Sequence, residues 1–302
     1  MSLNFTFEPN LQTAMKKNLF TPYLVIFTFI SFHFVVNAQG KLGGLALYTV
    51  RNEMEVEPLK TLAIISNLGY RAIESAGYEN GKFYGMSPSA FRSRLTALDL
   101  HPLSAHQSSI TIENAKKMMQ DVKVAGFEYF VIPIPPMGMF KVDEKTMNME
   151  MEGGNEVLAA LLNYFGKMAY DMDLKLLYHN HDFEFIADET GTATIDYLLT
   201  HCDPRYVNFQ MDLYWVIKAG ADPLAYFEKY PGRFKSWHVK DMDIEGKFAP
   251  VGQGTIDFAK ILKAKEKSGM VYYMVEQDEC YGINPLQAIE ISFKGIQSIG
   301  FK

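Results

Sequence analysis

The chain has 302 residues, 48% of them hydrophobic and 21% charged, the profile of an ordinary soluble globular protein with a real core. Its net charge of -6 and the absence of any long Lys/Arg cluster exclude an electrostatic nucleic-acid binder, which concentrates positive charge to displace counterions from phosphate.

The first forty residues differ from the rest. Lys16 and Lys17 precede a stretch rich in Phe, Ile, Val and Leu from Leu19 to Val36, and Asn37-Ala38-Gln39 then offers a small residue at a signal-peptidase site. The uninterrupted apolar core, Leu24 to Val36, contains Thr28, Ser31 and His33 and falls short of the roughly 20 residues that cross hydrocarbon. Residues 1–38 therefore read as a leader and cleavable secretory signal, with translation starting at Met15 and an uncleaved anchor as the alternative. Export to the periplasm is expected, with no stable membrane span after cleavage. Residues 39–302 carry the fold. The two cysteines, Cys202 and Cys280, are expected at opposite ends of it as free thiols, and no Cys pair has the spacing of a structural zinc module.

Beyond residue 40, short runs suited to buried strands alternate with helical periodicity. Strands are expected at Leu42 to Thr49, Tyr70 to Ser75, Leu103 to His106, Tyr129 to Pro133, Lys175 to His179, Val207 to Asp212, Ser236 to Lys240 and Val271 to Glu276. Helices are expected at Glu57 to Leu68, Pro88 to Leu98, Ile112 to Ala125, Glu156 to Met172, Ile195 to Thr200, Pro223 to Lys229, Ile256 to Lys267 and Pro285 to Ile299. Gly69, Gly126, Gly269 and Gly300 stand just past helices, where a left-handed residue turns the chain, and Ser87-Pro88 and Asp222-Pro223 supply an N-cap followed by proline. Eight βα units in a chain of this size predict one (β/α)8 TIM barrel. The competing open doubly wound sheet lacks its glycine-rich phosphate turn, because Gly43 and Gly44 lie inside the first strand. The segment from Pro135 to Asn155, rich in Met and Gly, reads as a rim or lid after strand four.

In such a barrel, active-site residues stand at the C-terminal ends of the strands. Here these are Glu74, His106, His179-Asn180-His181, Asp212, His238-Val239-Lys240-Asp241 and Glu276-Gln277-Asp278-Glu279. Any one of them alone is more often a cap or a hydrogen-bonded structural group than a functional one. Together, His179, Asp212, His238 and Glu276 would converge near the barrel axis as a mixed N/O site for one divalent ion such as Zn, Mn, Co or Fe, while calcium prefers an all-oxygen shell. The ion would polarise a substrate oxygen and stabilise an enediolate.

At Tyr178-His179-Asn180-His181, Met211-Asp212, Trp237-His238-Val239-Lys240-Asp241 and Val275-Glu276-Gln277-Asp278, the chain resembles the xylose-isomerase-like TIM barrels that include sugar phosphate isomerases/epimerases. Pro250-Val251-Gly252-Gln253-Gly254-Thr255-Ile256-Asp257 is similar to that family's loop before the last helix-strand unit. The resemblance implies that Asp212, His238 and Glu276 are metal ligands and that strand five supplies a fourth. Epimerases of the superfamily carry Glu there and use it with the strand-eight Glu as an acid/base pair; this chain carries His179. A metal-bound imidazole has no free lone pair for that role, and the departure looks more like the keto-inositol dehydratase and 3-keto-glycoside lyase branch.

The expectation is a metal-dependent carbohydrate enzyme, isomerase/epimerase-like, that abstracts a proton α to a carbonyl of a non-phosphorylated sugar. His106, His181 and Lys240 would orient hydroxyls or transfer protons beside Glu276, with His181 and Lys240 as rival bases if Glu276 is fully engaged by the metal. Glu74, Trp215 and Tyr214 would bind substrate; Trp237 either packs on the ring or belongs to the core. The alternatives are a lyase or dehydratase acting on a keto-sugar or 3-keto-glycoside, and a non-catalytic exported sugar-binding barrel. A three-zinc apurinic endonuclease of the same fold is disfavoured by the acidic charge, and a homo-oligomer is the form of self-association left open.

Overall fold

The computed structural model describes residues 42–136, 139–142, 149–151, 153–189 and 191–301. The expected leader and signal, residues 1–38, lie outside them, as does part of the rim segment 135–155. Eight parallel strands close on themselves: β1 (Leu42–Ala46), β2 (Ala72–Ser75), β3 (His101–His106), β4 (Tyr129–Ile132), β5 (Lys175–His179), β6 (Val207–Asp212), β7 (Phe234–Val239) and β8 (Tyr272–Val275). Closure occurs at β1, where Leu45 lies opposite Ile73 of β2 on one side and Val275 of β8 on the other. The fold is the expected single (β/α)8 barrel.

The surrounding helices are α1 (Arg51–Val56), α2 (Pro58–Leu68), α3 (Pro88–Ala97), α4 (Ala115–Val124), α5 (Gly154–Asp171) and α6 (Thr194–His201). They continue with α7 (Leu213–Lys218), α8 (Pro223–Lys229), α9 (Phe258–Leu262), α10 (Lys265–Ser268) and α11 (Pro285–Ile299). Their ends follow local chemistry. Ser87 and Asp222 accept the backbone N–H groups of Ala90 and Leu224, and Gly69, Gly269 and Gly300 end α2, α10 and α11 in the left-handed conformation. No described helix is long and apolar enough to cross a membrane. Cys202 is buried behind α6 and Cys280 lies in the loop after β8; both are free.

Several expectations on the elements change, and α1 lies ahead of the first expected helix. β1 stops at Ala46, and Leu47–Val50 coil into a 3-10 turn that leaves Tyr48 exposed at the barrel mouth. The expected helix from Ile256 to Lys267 is broken at Ala264 (φ -91°, ψ 7°) into α9 and α10. Helix α7 was not anticipated. It begins on the carboxylate of Asp212, which accepts the N–H of Trp215 and so ends β6 and caps the helix at once.

Burial divides the apolar side chains into two cores, one between barrel and helices and a smaller one inside the barrel, where Ala72, Leu103, Tyr129, Leu177, Tyr272 and Met274 pack. Successive strand residues face opposite ways, so Trp237, next to inward-facing His238, points outward and stacks on Phe227 of α8 with ring centroids 5.2 Å apart. Trp237 is a core residue, not a substrate platform. Above the interior apolar layer, the same inward-facing positions turn polar.

Candidate active site

The period of two carries the candidate residues up each strand and just past its end: Leu177 and His179 on β5, then His181; Gln210 and Asp212 on β6; Ser236 and His238 on β7, then Lys240; Met274 on β8, then Glu276. Two hydrogen-bond systems hold the strand ends in place. Asn180 accepts the Asp212 N–H at 3.1 Å, tying β5 to β6. Beyond it, Glu184 accepts the Tyr178 hydroxyl at 2.5 Å and the His181 N–H at 2.7 Å, which fixes the turn carrying His181. Desolvation pushes the Glu184 carboxyl up to about 7, against the lowering effect of these two donors.

Glu74 lies at the floor of the site. Its Oε1 is 2.6 Å from His238 Nε2 and 3.0 Å from His106 Nε2, and its Oε2 accepts from Ser104 Oγ at 2.7 Å and Gln210 Nε2 at 2.8 Å. The Gln210 Oε1 in turn lies 3.0 Å from His179 Nδ1 and 2.8 Å from His106 Nε2. Burial alone would raise the Glu74 carboxyl, but His106 and His238 outweigh it and hold the group well below the usual carboxylate range. Glu74 and Gln210 thus occupy one nitrogen of each of three imidazoles, leaving His238 Nδ1 and His179 Nε2 to face inward.

Above this floor the potential ligands converge. Donor atoms of Asp212, His238 and Glu276 lie within 4.8 Å of one another, as do those of His106, His179 and His238. His179 Nε2 is 3.8 Å from Asp212 Oδ2, and His238 Nδ1 is 2.8 Å from Glu276 Oε2. Two imidazoles and two carboxylates gathered this closely suit a borderline divalent ion. These buried groups form a candidate metal site that fits the set His179, Asp212, His238 and Glu276, with His106 as an adjoining donor.

Lys240 sits in a carboxylate cage, its Nζ 2.9 Å from Asp212 Oδ2, 2.8 Å from Glu276 Oε2 and 2.8 Å from Asp278 Oδ1. Burial would lower its ammonium, yet these three carboxylates hold it well above the ordinary lysine value. His181 is in the opposite state: burial, and then the Lys240 charge, push it down to about 3, and its Nδ1 has no hydrogen-bond partner. The cavity they share has a volume near 270 Å³ and is lined also by His106, His179, Glu276 and Asp278.

Two residues expected to meet substrate have their polar groups engaged within the protein. Glu74 is 1% exposed, and both of its oxygens are taken by the floor network beneath the imidazoles. Tyr214 packs on Phe248 at 4.3 Å and donates its hydroxyl to the Gly246 carbonyl, away from the cavity. Trp215 backs the site, its ring 5.5 Å from that of His181 and 5.7 Å from Lys240 Nζ. Asp241, beside Lys240, folds the loop 250–256 around itself by accepting the N–H groups of Gly252, Gly254 and Ile256. Gln210 and Tyr48 were not singled out in the sequence, and Asp278 was noted at the end of β8 without a role. The signal for Gln210 was its place two residues before Asp212, on the same strand face.

Inosose dehydratase of Lacticaseibacillus casei is 31% identical over 142 residues, covering 41% of this chain and 47% of that protein. The chain thus spans about half the length of the curated relatives it matches. Among solved structures, a sugar phosphate isomerase/epimerase from Parabacteroides distasonis superposes with a TM-score of 0.73 at 25% identity, covering 88% of this chain and 97% of that one. The IOLI protein, solved with a bound zinc atom, has the same fold, with a TM-score of 0.63 at 15% identity over 85% of this chain and 97% of that one. Residues 62–297 match the family described as xylose isomerase-like TIM barrel, and the chain belongs to that family.

Proposed function

We propose that this protein is a divalent-metal-dependent lyase that removes the proton α to the carbonyl of a non-phosphorylated keto-sugar and expels the β-substituent. The observation that carries the reading is one cavity lined by both an imidazole, His181, and a lysine whose ammonium is enclosed by three carboxylates, Lys240. His181 accepts the α-proton; Lys240 donates to the departing oxygen. The C–H electron pair becomes the new C=C bond, the C–O bond breaks, and the leaving group departs as water or an alcohol. Similarity to inosose dehydratases supports elimination over epimerisation, as does His179 in place of a second carboxylate base.

His179, Asp212, His238 and Glu276 would hold the ion, and the zinc in the IOLI protein favours zinc among Zn, Mn, Co and Fe. When bound, the metal supplies Lewis-acid polarisation of the carbonyl oxygen. The inner cavity's own charges disfavour phosphate, because its lysine is already matched by Asp212, Glu276 and Asp278. With the segment 1–38 read as a secretory signal, the substrate would be met outside the cytoplasm.

Elimination is tested by incubating the metal-loaded protein with a 3-keto-glycoside and following aglycone release and ultraviolet absorbance of the enone. Asp212→Ala and His238→Ala are expected to lose both metal and turnover. Isomerisation without release would return the reading to an isomerase/epimerase, which the Parabacteroides likeness favours. Full activity in either variant would refute the metal site.

A further inference from the structure

Beside the inner cavity a second one, near 840 Å³, opens over the ends of β1, β2 and β3. The two share Tyr48, Ala76 and Ser108 in their walls. At 270 Å³ the inner cavity lies near the lower end of the ~300–1,000 Å³ common for small-molecule sites, room for a single ring. The outer one is large enough for another.

We propose that the outer cavity is a second sugar subsite, so that the substrate is a glycoside of at least two rings with its keto-sugar unit in the inner cavity. The inference rests on the functional reading above for what occupies that inner cavity. Its wall combines aromatic side chains with hydrogen-bonding groups: Tyr48, Tyr78 and Tyr84 with Asn80, Ser108 and Ser109. Amphipathic faces of this kind pack on the C–H face of a pyranose while the polar neighbours meet its hydroxyls. The Arg51 guanidinium is spent on the Asp278 carbonyl and Glu279, which leaves Lys82 facing Glu55 and Glu79 in the lining. A neutral ring fits this lining better than a phosphate or a carboxylate.

The wall is also built in advance of any ligand. Tyr84 adopts a left-handed φ of 48° and accepts the Ala76 N–H on its hydroxyl at 3.1 Å, and its ring fills the space beside Gly77 that a Cβ would need. Tyr48, at the border between the cavities, is 41% exposed and carries the Arg51 guanidinium 4.5 Å from its ring centroid. Arg51 ties that platform to the loop after β8, which also bears Asp278.

The test is isothermal titration calorimetry of the metal-loaded protein with glucose, cellobiose and maltose, which reads binding independently of chemistry. At least one disaccharide is expected to bind tenfold or more tightly than glucose. Tyr48→Ala, and separately Ser109→Trp as a steric block at an exposed position, should bring that ratio close to one, with melting temperature confirming that each variant folds. Equal affinities for mono- and disaccharides, or a disaccharide preference untouched by both substitutions, would overturn the subsite. The expected pattern without elimination from a 3-keto-glycoside would support the subsite and refute the lyase reading alone.

Discussion

Glu74→Gln keeps the shape of the side chain but replaces one acceptor oxygen with a donor in a place surrounded by donors. Placed at the Oε1 position, the new NH2 would face the Nε2 atoms of His238 and His106, 2.6 and 3.0 Å away. His238 would then have to carry its proton on Nδ1, the nitrogen left for a metal. Placed at Oε2, the NH2 would face Ser104, whose hydroxyl can rotate to accept, and Gln210 Nε2 at 2.8 Å, which cannot. Gln210 would have to flip and present its own NH2 to His179 Nδ1, moving the His179 proton to Nε2. Either choice removes a lone pair from one of the two imidazole ligands. A hydrogen bond to a charged group contributes ~1.5–3 kcal/mol, matching the tenfold to hundredfold loss of affinity usual when a metal ligand's outer partner is removed. Chelator-competition titration should therefore show metal affinity weakened by about 10- to 100-fold, with the metal-free variant still folded by circular dichroism. Affinity within threefold of the parent would refute the reasoning.

Two further outcomes concern stability. The raised Glu184 carboxyl binds its proton more tightly in the folded than in the unfolded chain, so its contribution is complete below the ordinary 4.5 and is lost as pH rises toward about 7. The span corresponds to roughly 3 kcal/mol. Urea unfolding from pH ~4.5 to ~7 should show a flatter stability curve for Glu184→Gln by up to that amount; parallel curves would disprove the assignment. Gly295→Ala reverses the usual helix rule. Alanine would favour α11 by about 1 kcal/mol over glycine, but its Cβ falls on the Val251 carbonyl oxygen and backbone. Net destabilisation of about 1–3 kcal/mol is expected from the overpacking, read as a lower melting temperature, and a stabilised variant would show that the loop and helix are not pressed together.

The barrel was legible in the sequence because its βα units are largely locally encoded: short apolar runs, helices with local periodicity and, in several units, a capping residue or a glycine exit. The ligand candidates were legible because polar groups at the ends of apolar strands stand out and because strand ends in a barrel must converge. What the sequence did not disclose depends on which way a side chain points and what meets it from distant strands. Glu74 and Gln210 are 136 residues apart yet share a hydrogen bond; neither position by itself distinguishes a substrate contact from a support beneath the ligands. In sequence Trp237 reads either as a sugar platform or as a core residue, and only the strand pleat turns it outward onto Phe227. The same pleat gives the two rival groups different surroundings. Lys240 follows inward-facing His238 by two and so enters the carboxylate cage as a donor, while His181, two beyond His179, keeps a nitrogen without a partner. The surroundings of two adjacent groups thus differ less by residue type than by the count of carboxylates each strand position brings within reach.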